Sequence, residues 1–276
     1  MKLIKASIIL IYCFFSLQSA KCQDSLLVLQ RSLPYKIVSF SVNNIGEIFL
    51  INQDNQLIKL DNKWDSIGVY NEISKYGILT YVDAKNPWRT LLYYKDYATI
   101  VLLDKYLNEV TKINLRLNNL YQANAINVSY DNNIWLYDEQ EQKLKKIDET
   151  GKLLLETNDF RQLFNNAPNP VLLKDRDRFV YLYDPTKGLY LFDYYGSFKN
   201  KFDFLNWKSF EVIGDNIYGF DESYLYWYEK GTLDIKKYSL PPHSFPFSNI
   251  QVANNKMYLL ENGILKIYNL KNQRRG

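Results

Sequence analysis

Acidic side chains recur at similar places along this chain, and they are the first candidates for a site. Each stands in a polar turn after a short apolar run: Asp54, Asp96, Asp138, Glu139, Asp184, Asp221, Glu222 and Glu261. Carboxylates gathered on one surface bind calcium or attract a basic protein partner. An Asp at a recurring turn also caps its own backbone, which is a purely structural role. The sequence therefore predicts an acidic face, and both interpretations are open for each residue.

The single histidine, His243, limits the catalytic chemistry that the chain can support. A Ser-His-Asp triad would have to use it, and no Gly-x-Ser-x-Gly turn presents a nucleophile. A zinc site built from several histidines needs more than one. No phosphate-binding glycine loop or dinucleotide-binding pattern occurs either. The sequence therefore commits no residue to catalysis and predicts no bound cofactor.

Two loops carry aromatic rings among polar residues. Segment 158–170 contains Phe160 and Phe164, and segment 240–249 contains His243, Phe245 and Phe247. Long loops with apolar side chains often dock partners. They can also fold back and bury their own rings. We expect both loops on the acidic face, where they are candidates for binding a protein partner.

The first 22 residues have the pattern of a signal peptide. Lys2 and Lys5 precede an uncharged, largely apolar run that is too short for a membrane span. Cleavage after Cys22 would leave 23–276 as the mature chain, with no transmembrane span. A lipid anchor on Cys22 is the alternative, although Lys21 stands where a lipidation site has Gly or Ala. We predict an exported protein, periplasmic or associated with the outer membrane.

Charge and cysteine content narrow the class of protein further. The full chain has a formal net charge of +4, and cleavage would remove Lys2, Lys5 and Lys21, leaving about +1. No basic stripe of the kind that binds nucleic acid is present. Both cysteines, Cys13 and Cys22, lie in the signal region, so no disulfide is expected. The 24 Tyr and 15 Phe favour sheet, and about 250 residues suffice for one core.

The elements that position these residues form a sixfold repeat. Six apolar runs begin between 37 and 46 residues apart, which is the length of a four-stranded propeller blade: 48–50, 91–94, 134–137, 180–183, 217–220 and 257–260. A polar turn, a second apolar run and a second polar turn follow each of them. The pattern predicts an all-β, six-bladed β-propeller of four-stranded antiparallel blades, and we expect the propeller to be a monomer.

The predicted blades span about 36–70, 78–115, 125–157, 170–204, 209–240 and 249–270. Their innermost strands are expected at 37–42, 78–82, 125–128, 171–173, 210–213 and 250–252. The sixth blade ends without room for a fourth strand. Segment 26–29 at the mature N-terminus can supply that strand, which would close the ring and remove exposed sheet edges.

Two of the repeats resemble NHL repeats. The resemblance rests on 41–50 (SVNNIGEIFL) with 56–61 (QLIKLD), and on 129–138 (SYDNNIWLYD) with 143–151 (KLKKIDETG). NHL and TolB-like propellers usually have six blades, in agreement with the repeat count. The second repeat, with 83–88 (DAKNPW) before its strand, also resembles a secreted bacterial propeller family of unknown role. The resemblance implies a fold and a compartment.

The same resemblance implies an alternative, because some related propellers are gluconolactonase-type hydrolases with a metal in the channel. Glu, Asn and Asp hold that metal, and the matching positions here would be Asp83, Asn127, Glu211 and Gln251. A divalent cation such as calcium would then be the cofactor. Lyases of the NHL class use several histidines, and this chain has only His243.

We therefore expect a non-enzymatic binding or scaffold protein of a bacterial cell envelope, which engages a protein partner through one propeller face. The expectation rests on a rigid closed scaffold with elaborated loops and no assembled catalytic set. The metal-dependent hydrolase is the first alternative. A carbohydrate- or peptide-binding module is the second, and exposed aromatic rings at a channel mouth would indicate it.

Overall fold

The computed structural model describes residues 27–240 and 247–270, and they form six four-stranded antiparallel sheets. The first described strand is β1 (Leu27–Leu33). Blade one contains β2 (Ile37–Val42), β3 (Ile48–Asn52), β4 (Leu57–Leu60) and β5 (Ser66–Tyr70). Blade two contains β6 (Tyr81–Asn86), β7 (Arg89–Tyr94), β8 (Thr99–Asp104) and β9 (Glu109–Asn114). Blade three contains β10 (Ala123–Val128), β11 (Ile134–Asp138), β12 (Lys143–Ile147) and β13 (Leu153–Glu156).

The second half of the ring repeats this arrangement. Blade four contains β14 (Leu172–Arg176), β15 (Phe179–Asp184), β16 (Gly188–Asp193) and β17 (Phe198–Phe202). Blade five contains β18 (Ser209–Ile213), β19 (Asn216–Phe220), β20 (Tyr224–Glu229) and β21 (Ile235–Ser239). Blade six contains β22 (Phe247–Ala253), β23 (Lys256–Glu261) and β24 (Ile264–Leu270). The connections include α1 (Ile73–Tyr76), α2 (Phe160–Leu163) and a 3₁₀ turn (Leu115–Asn118). No helix within these described residues is long and apolar enough to cross a membrane.

The ring closes as the sequence predicts. Strand β1 pairs antiparallel with β24, from Leu27 opposite Leu270 to Leu33 opposite Leu265. The closing strand is longer than the predicted 26–29, and it completes the sixth sheet in the order β1-β24-β23-β22. Because this pairing covers the outer edge of β24, blade six has four strands like the others. The prediction of a six-bladed propeller is confirmed.

The blades pack face to face, which explains why both alternations of their middle strands are apolar. One buried cluster combines Phe49 and Leu57 of blade one with Leu92, Val101 and Leu103 of blade two. A strand covered on both faces reads as a continuous apolar run rather than an alternating one. The outermost strands are more exposed, as in β17, where four of five residues face solvent. The core is therefore a series of six inter-blade layers around a channel.

The second polar position of the repeat caps its turn in blades one to four. The carboxylate of Asp61 accepts hydrogen bonds from the backbone N–H groups of Lys63 and Asp65 at 2.8 and 2.9 Å. Asp104 does the same for Tyr106 and Asn108, at 2.8 Å each. Such side-chain bonds replace those that the backbone loses in the turn. In these four blades the acidic residue therefore stabilises the turn between the third and fourth strands, whereas Asn269 of blade six lies within β24.

Two innermost strands end several residues later than the sequence indicated. Strand β6 covers Tyr81–Asn86, where 78–82 was predicted, and β14 covers Leu172–Arg176, where 171–173 was predicted. The difference arises because charged residues continue these strands into the channel. Lys85 and Arg176, which resemble turn residues in the sequence, lie on strands in the structure.

Candidate binding face and central channel

The propeller has two faces that carry different loops. The connection face holds the turns between second and third strands and the segments that join one blade to the next. The hairpin face holds the turns between first and second and between third and fourth strands. The up-and-down order of strands in each blade produces this division. The acidic candidates lie on the connection face, either as the last residue of a second strand or in the turn that follows it.

Three of these acidic candidates serve the blades themselves. Asp138, Asp184 and Glu261 are only 2 to 3% exposed. Asp138 forms an ion pair with Lys145 at 2.8 Å and accepts from the N–H of Gln140 at 3.0 Å. Asp184 accepts from the N–H groups of Asn169 and Thr186, at 2.8 Å each. Those N–H groups lower the pKa of Asp184, although burial opposes them as the largest single influence.

Glu261 and Asp221 also bond to groups of their own blades. Glu261 pairs with Lys266 of the next strand. Asp221 accepts from the N–H of Ser223 at 2.8 Å and from the hydroxyl of Tyr226 at 2.6 Å. These contacts correspond to the structural role, which was one of the two interpretations that the sequence left open. They leave the rim of the connection face less acidic than the sequence suggests.

The remaining acidic candidates are more accessible. Asp54, Asp96 and Glu222 are exposed, and Glu222 forms an ion pair with Lys208 at 3.3 Å. Glu139 is half-buried, and its N–H donates to the carbonyl of Gln122 at 3.0 Å. The acidic residues that a partner can reach are therefore few and separated along the rim.

The aromatic loop 158–170 folds back onto the propeller. Phe160 is fully buried in helix α2 and stacks on Phe192 at 5.2 Å, with the ring planes 5° apart. Phe164 packs edge-on against Tyr190 and Phe198, at 5.1 and 5.0 Å. The structure thus uses these rings to cover the junction of blades three and four. As a docking element for a partner, Phe160 is inaccessible.

The structure describes only part of the second aromatic loop. His243 and Phe245 lie outside the described residues. Phe247 begins β22, where its backbone lies opposite Glu261. Their assignment to a partner-binding face stays a prediction.

A different set of apolar side chains is exposed on the connection face around blade two. We call Ile73, Ile78, Tyr97, Leu117 and Tyr121 the blade-two patch; they are between 44 and 82% exposed. They come from three neighbouring segments: the connection before β6, the turn after β7 and the connection after β9. A Cβ placed on Gly77 would lie 2.7 Å from the ring of Tyr97, and the N–H of Leu115 donates to the carbonyl of Ala98 at 2.8 Å. These contacts hold the three segments together as one surface.

The central channel contains a cavity of about 300 Å³, lined by residues of all six innermost strands. Its mouth on the connection face includes Lys95 and Asn124, whose side chains are hydrogen-bonded at 3.0 Å. Deeper in the cavity lie Tyr81, Lys174 and Glu211. The cavity size is at the lower end of the range for small-molecule sites.

The four predicted metal ligands lie around this channel, but each is engaged by another protein group. Asp83 accepts from the amide of Asn127 at 2.6 Å and from the N–H of Val128 at 3.0 Å. Gln251 both accepts from and donates to the backbone of Val42, at 2.9 and 3.0 Å.

Glu211, the fourth predicted ligand, forms an ion pair with Lys174 at 2.5 Å. Burial lowers the pKa of Lys174, and the nearby carboxylate of Glu211 opposes that change. Among residues 27–240 and 247–270, no three His, Cys, Asp or Glu side chains gather closely enough to hold a metal ion. The four predicted ligands are therefore bonded to other groups of the protein.

The sequence analysis missed Lys85, the most unusual group in the channel. Its Nζ atom is buried and has no hydrogen-bond partner within the part of the chain that the structure describes. The pKa of Lys85 is lowered to about 7, first by burial and then by the positive charges of Arg176 and Lys174. A buried, unpaired amine with a strongly lowered pKa is a mark of functional sites. Only the extension of β6 beyond Val82 would have placed this residue in the channel.

The hairpin face carries an aromatic groove of about 1130 Å³ between blades three and four. The rings of Tyr130 and Tyr194 stack there at 4.4 Å, with an angle of 14° between their planes. Tyr130 and Tyr195 are 67 and 83% exposed. Asp131 and Arg178 supply charged groups beside the rings. A flat aromatic surface with neighbouring polar groups suits a sugar ring or an extended peptide.

Comparisons with known proteins agree with the fold. No family model and no curated protein matches the chain. Among solved structures, a streptogramin B lyase is 16% identical with a TM-score of 0.62, covering 86% of this chain and 80% of the other. BBS1N, solved in complex with ARL6DN, is 9% identical with a TM-score of 0.61, covering 91% and 98%. BamB from Moraxella catarrhalis is 12% identical with a TM-score of 0.50, covering 86% and 84%. At these identities the likeness establishes the class, a six-bladed β-propeller.

Proposed function

We propose that the protein is a non-enzymatic binding protein of a bacterial cell envelope, and that it engages a protein partner through the connection face. The observation that carries the proposal is the blade-two patch, five apolar side chains exposed on three adjoining segments. Contiguous exposed apolar surface of this kind marks interaction sites on proteins. The proposed compartment rests on the signal-like pattern of 1–22.

The surroundings of the patch also suit a protein interface. Asp54, Asp96 and Arg116 are exposed near it, and the guanidinium of Arg116 donates to the carbonyl of Asp96 at 2.8 Å. The side chain of Asn55 joins the turn that carries Asp54 to the carbonyl of Gly77 at 3.2 Å. Protein interfaces typically have an apolar centre with aromatic residues and a polar rim. The two acidic residues predicted from the sequence would lie in this rim.

The propeller offers this surface on a rigid support. The blade-two patch lies on segments anchored to β6, β7 and β10, and their main chains are tied by the bond between Leu115 and Ala98. A preorganised surface loses little conformational entropy on binding. The complex of BBS1N with ARL6DN supports the proposal, because a chain of similar fold was solved there with a second protein.

The lactonase-type alternative has less support from the geometry. Asp83, Asn127 and Gln251 are each held by hydrogen bonds to other protein groups, and Glu211 is paired with Lys174. A metal would have to displace these contacts before it could bind. The proposed function therefore assigns no catalytic residue.

The test compares the wild-type protein with two double variants that lose similar surface. Leu117→Glu with Tyr121→Glu places charge on the patch, and Tyr106→Glu with Tyr195→Glu places it on exposed residues of the hairpin face. Each tagged protein is purified from gently solubilised native envelopes, and its partners are quantified by mass spectrometry. We expect the patch variant to lose a stoichiometric partner at least about tenfold, because a buried charge at an interface centre is strongly unfavourable. Equal recovery by both variants would contradict the proposal.

A second candidate function is carbohydrate binding at the aromatic groove, and the stacked pair of Tyr130 and Tyr194 favours it. Migration through native gels that contain soluble polysaccharides measures such binding. We expect retardation that falls about tenfold in Tyr130→Ala, since a stacking ring is lost. Tyr106→Ala, which removes an exposed ring elsewhere on the hairpin face, is the matched control. Migration unaffected by every polysaccharide would remove this candidate.

A further inference from the structure

The innermost strand of blade two directs three polar side chains into the channel. Tyr81, Asp83 and Lys85 alternate along β6 and line the cavity, and Ala84 between them is buried on the opposite side. The period of two along a strand gives this arrangement. Lys85 is the last of the three and lies furthest from the mouth on the connection face.

The carboxylates of the cavity are already committed to other groups. Asp83 accepts from Asn127, Val128 and the N–H of Lys85, at 2.6, 3.0 and 3.1 Å. Glu211 is paired with Lys174. The Nζ atom of Lys85 receives no such partner, although it is buried. Burial of an ammonium group without a hydrogen-bond acceptor is expensive in free energy, so the charged form of Lys85 would be stabilised by an added acceptor.

The balance of charge around the cavity is positive. Lys85, Lys95 and Lys174 line it, against the carboxylates of Asp83 and Glu211. Arg176 on β14 adds a further positive charge close enough to lower the pKa of Lys85. The other innermost strands contribute uncharged polar groups, among them Ser41, Asn127, Ser209 and Gln251. An anion entering from the mouth would meet this surplus of positive charge and the unpaired amine.

We propose that the channel is a binding site for a small organic molecule with a carboxylate or phosphate group, which pairs with Lys85. The oxyanion supplies the acceptor that Nζ lacks, and such charge-assisted hydrogen bonds are among the strongest in proteins. The cavity of about 300 Å³ restricts the ligand to a small molecule. Asn124 and Lys95 at the mouth guide its entry. This site is separate from the blade-two patch and does not depend on a protein partner.

Binding of the anion has a proton signature. The pKa of Lys85 is about 7 in the empty channel, so the amine is largely neutral at pH 8 and largely protonated at pH 6. A bound carboxylate favours the charged form and raises that pKa. Binding at pH 8 therefore takes up close to one proton, and binding at pH 6 takes up almost none. The other charged groups that act on Lys85 are Arg176, Lys174, Glu211 and Asp83.

Isothermal titration calorimetry with succinate and with inorganic phosphate tests the site. The number of protons taken up on binding is measured with succinate at pH 8, in buffers with different heats of ionisation. Succinate is used because its own carboxylates do not titrate at that pH. We expect Lys85→Met to weaken binding at least about tenfold and to abolish proton uptake. Lys63→Met, which removes an exposed lysine from the turn after β4, is the control for lost charge and should bind as the wild type does.

The two probes also separate the sources of the oxyanion. Tighter binding of succinate identifies a carboxylate ligand, and tighter binding of phosphate identifies a phosphate ligand. Lys85→Arg should retain binding without proton uptake, because a guanidinium stays protonated throughout. The proposal is overturned if the wild type binds neither probe, or if Lys85→Met binds both as tightly as Lys63→Met does.

Discussion

Replacement of Lys85 by methionine is expected to raise the free energy of unfolding at pH 6, on the order of 4 kcal/mol. The pKa of Lys85 is about 7 in the fold against 10.5 in the unfolded chain. One unit of pKa corresponds to about 1.4 kcal/mol, so the buried ammonium carries a large penalty. Methionine has a similar length and no charge, and it fills the same space. Urea denaturation at pH 6 measures the difference.

The gain should depend on pH in a defined direction. The unfolded chain binds a proton at Lys85 that the folded chain lacks between pH 7 and 10.5, so wild-type stability rises with pH in that window. Below pH 7 both states are protonated and the penalty is present in full. The advantage of Lys85→Met is therefore greatest below pH 7 and decreases as the pH approaches 10.5. Lys63→Met should match the wild type throughout, and a Lys85→Met protein that is no more stable at pH 6 would contradict the account.

A stabilising substitution that also removes ligand binding would have a clear meaning. Residues retained at a cost in stability are typical of binding and catalytic sites. Lys85 would then be kept for its ligand and not for the fold. The two measurements on Lys85→Met, stability and anion binding, are independent of each other.

Alanine at Gly219 is expected to lower the free energy of unfolding by about 3 kcal/mol. A Cβ at this position would lie 2.2 Å from the ring of Trp207, closer than any real contact. Trp207 is held in place by its backbone N–H, which donates to the hydroxyl of Tyr183 at 2.6 Å, and by stacking of its ring on Phe204 at 4.5 Å. Because the ring has little room to move, the methyl group overpacks the core. Equilibrium unfolding in urea, followed by tryptophan fluorescence, measures the loss.

Gly68→Ala is the matched control for this prediction. Gly68 also lies in a strand, and the nearest atom to its added Cβ is a methyl carbon of Leu107 at 3.0 Å. A flexible side chain can move aside, so the cost should be below about 1 kcal/mol. Combining Gly219→Ala with Trp207→Leu should cost less than the sum of the two single changes. Equal costs at Gly219 and Gly68 would show that the ring of Trp207 does not set the constraint.

The fold was predictable because it repeats. Six apolar runs with polar turns gave the blade count, and the missing fourth strand of blade six gave the closure by the N-terminal segment. Gly219 shows where the repeat alone fell short. It stands where blades one, three, four and six have leucine, and the ring of Trp207 fills the space that a leucine would take. When a ring from outside the strand occupies the space of a missing side chain, the periodicity of the strand does not reveal it.

The candidate site was predictable only in part, and Phe160 and Lys85 show why. Phe160 lies among polar residues, so its burial depends on packing against Phe192 of another blade. Lys85 follows Asp83 and precedes Asn86, Pro87 and Trp88, a composition typical of a turn. The strand nevertheless continues through Lys85 to Asn86, and the turn is formed by Pro87 and Trp88 alone. The burial of Phe160 and the position of Lys85 in the channel both depend on contacts between segments that are separated in the sequence.

For the acidic residues, the sequence predicted the position along each blade but not the exposure of the side chain. The sequence placed them in turns, whereas the structure puts Asp138, Asp184 and Glu261 at the ends of strands and the others in the turns that follow. Their exposure depends on the neighbouring strand. Asp138 pairs with Lys145, which lies on the adjacent strand β12. Asp54, in contrast, is exposed. A local pattern can therefore identify the turn without indicating whether its carboxylate is free to meet a partner.

Site-specific photocrosslinking at Leu117 tests the central claim, that a protein partner binds the connection face, most directly. A photoreactive amino acid replaces Leu117 in one variant and Tyr195, on the hairpin face, in a second variant. Both residues are highly exposed. Cells that produce each protein are irradiated, and crosslinked products are separated and identified. The account predicts one dominant adduct with an envelope protein from position 117 and none of that adduct from position 195. The same adduct from both positions, or no adduct from 117 in a folded protein, would contradict it.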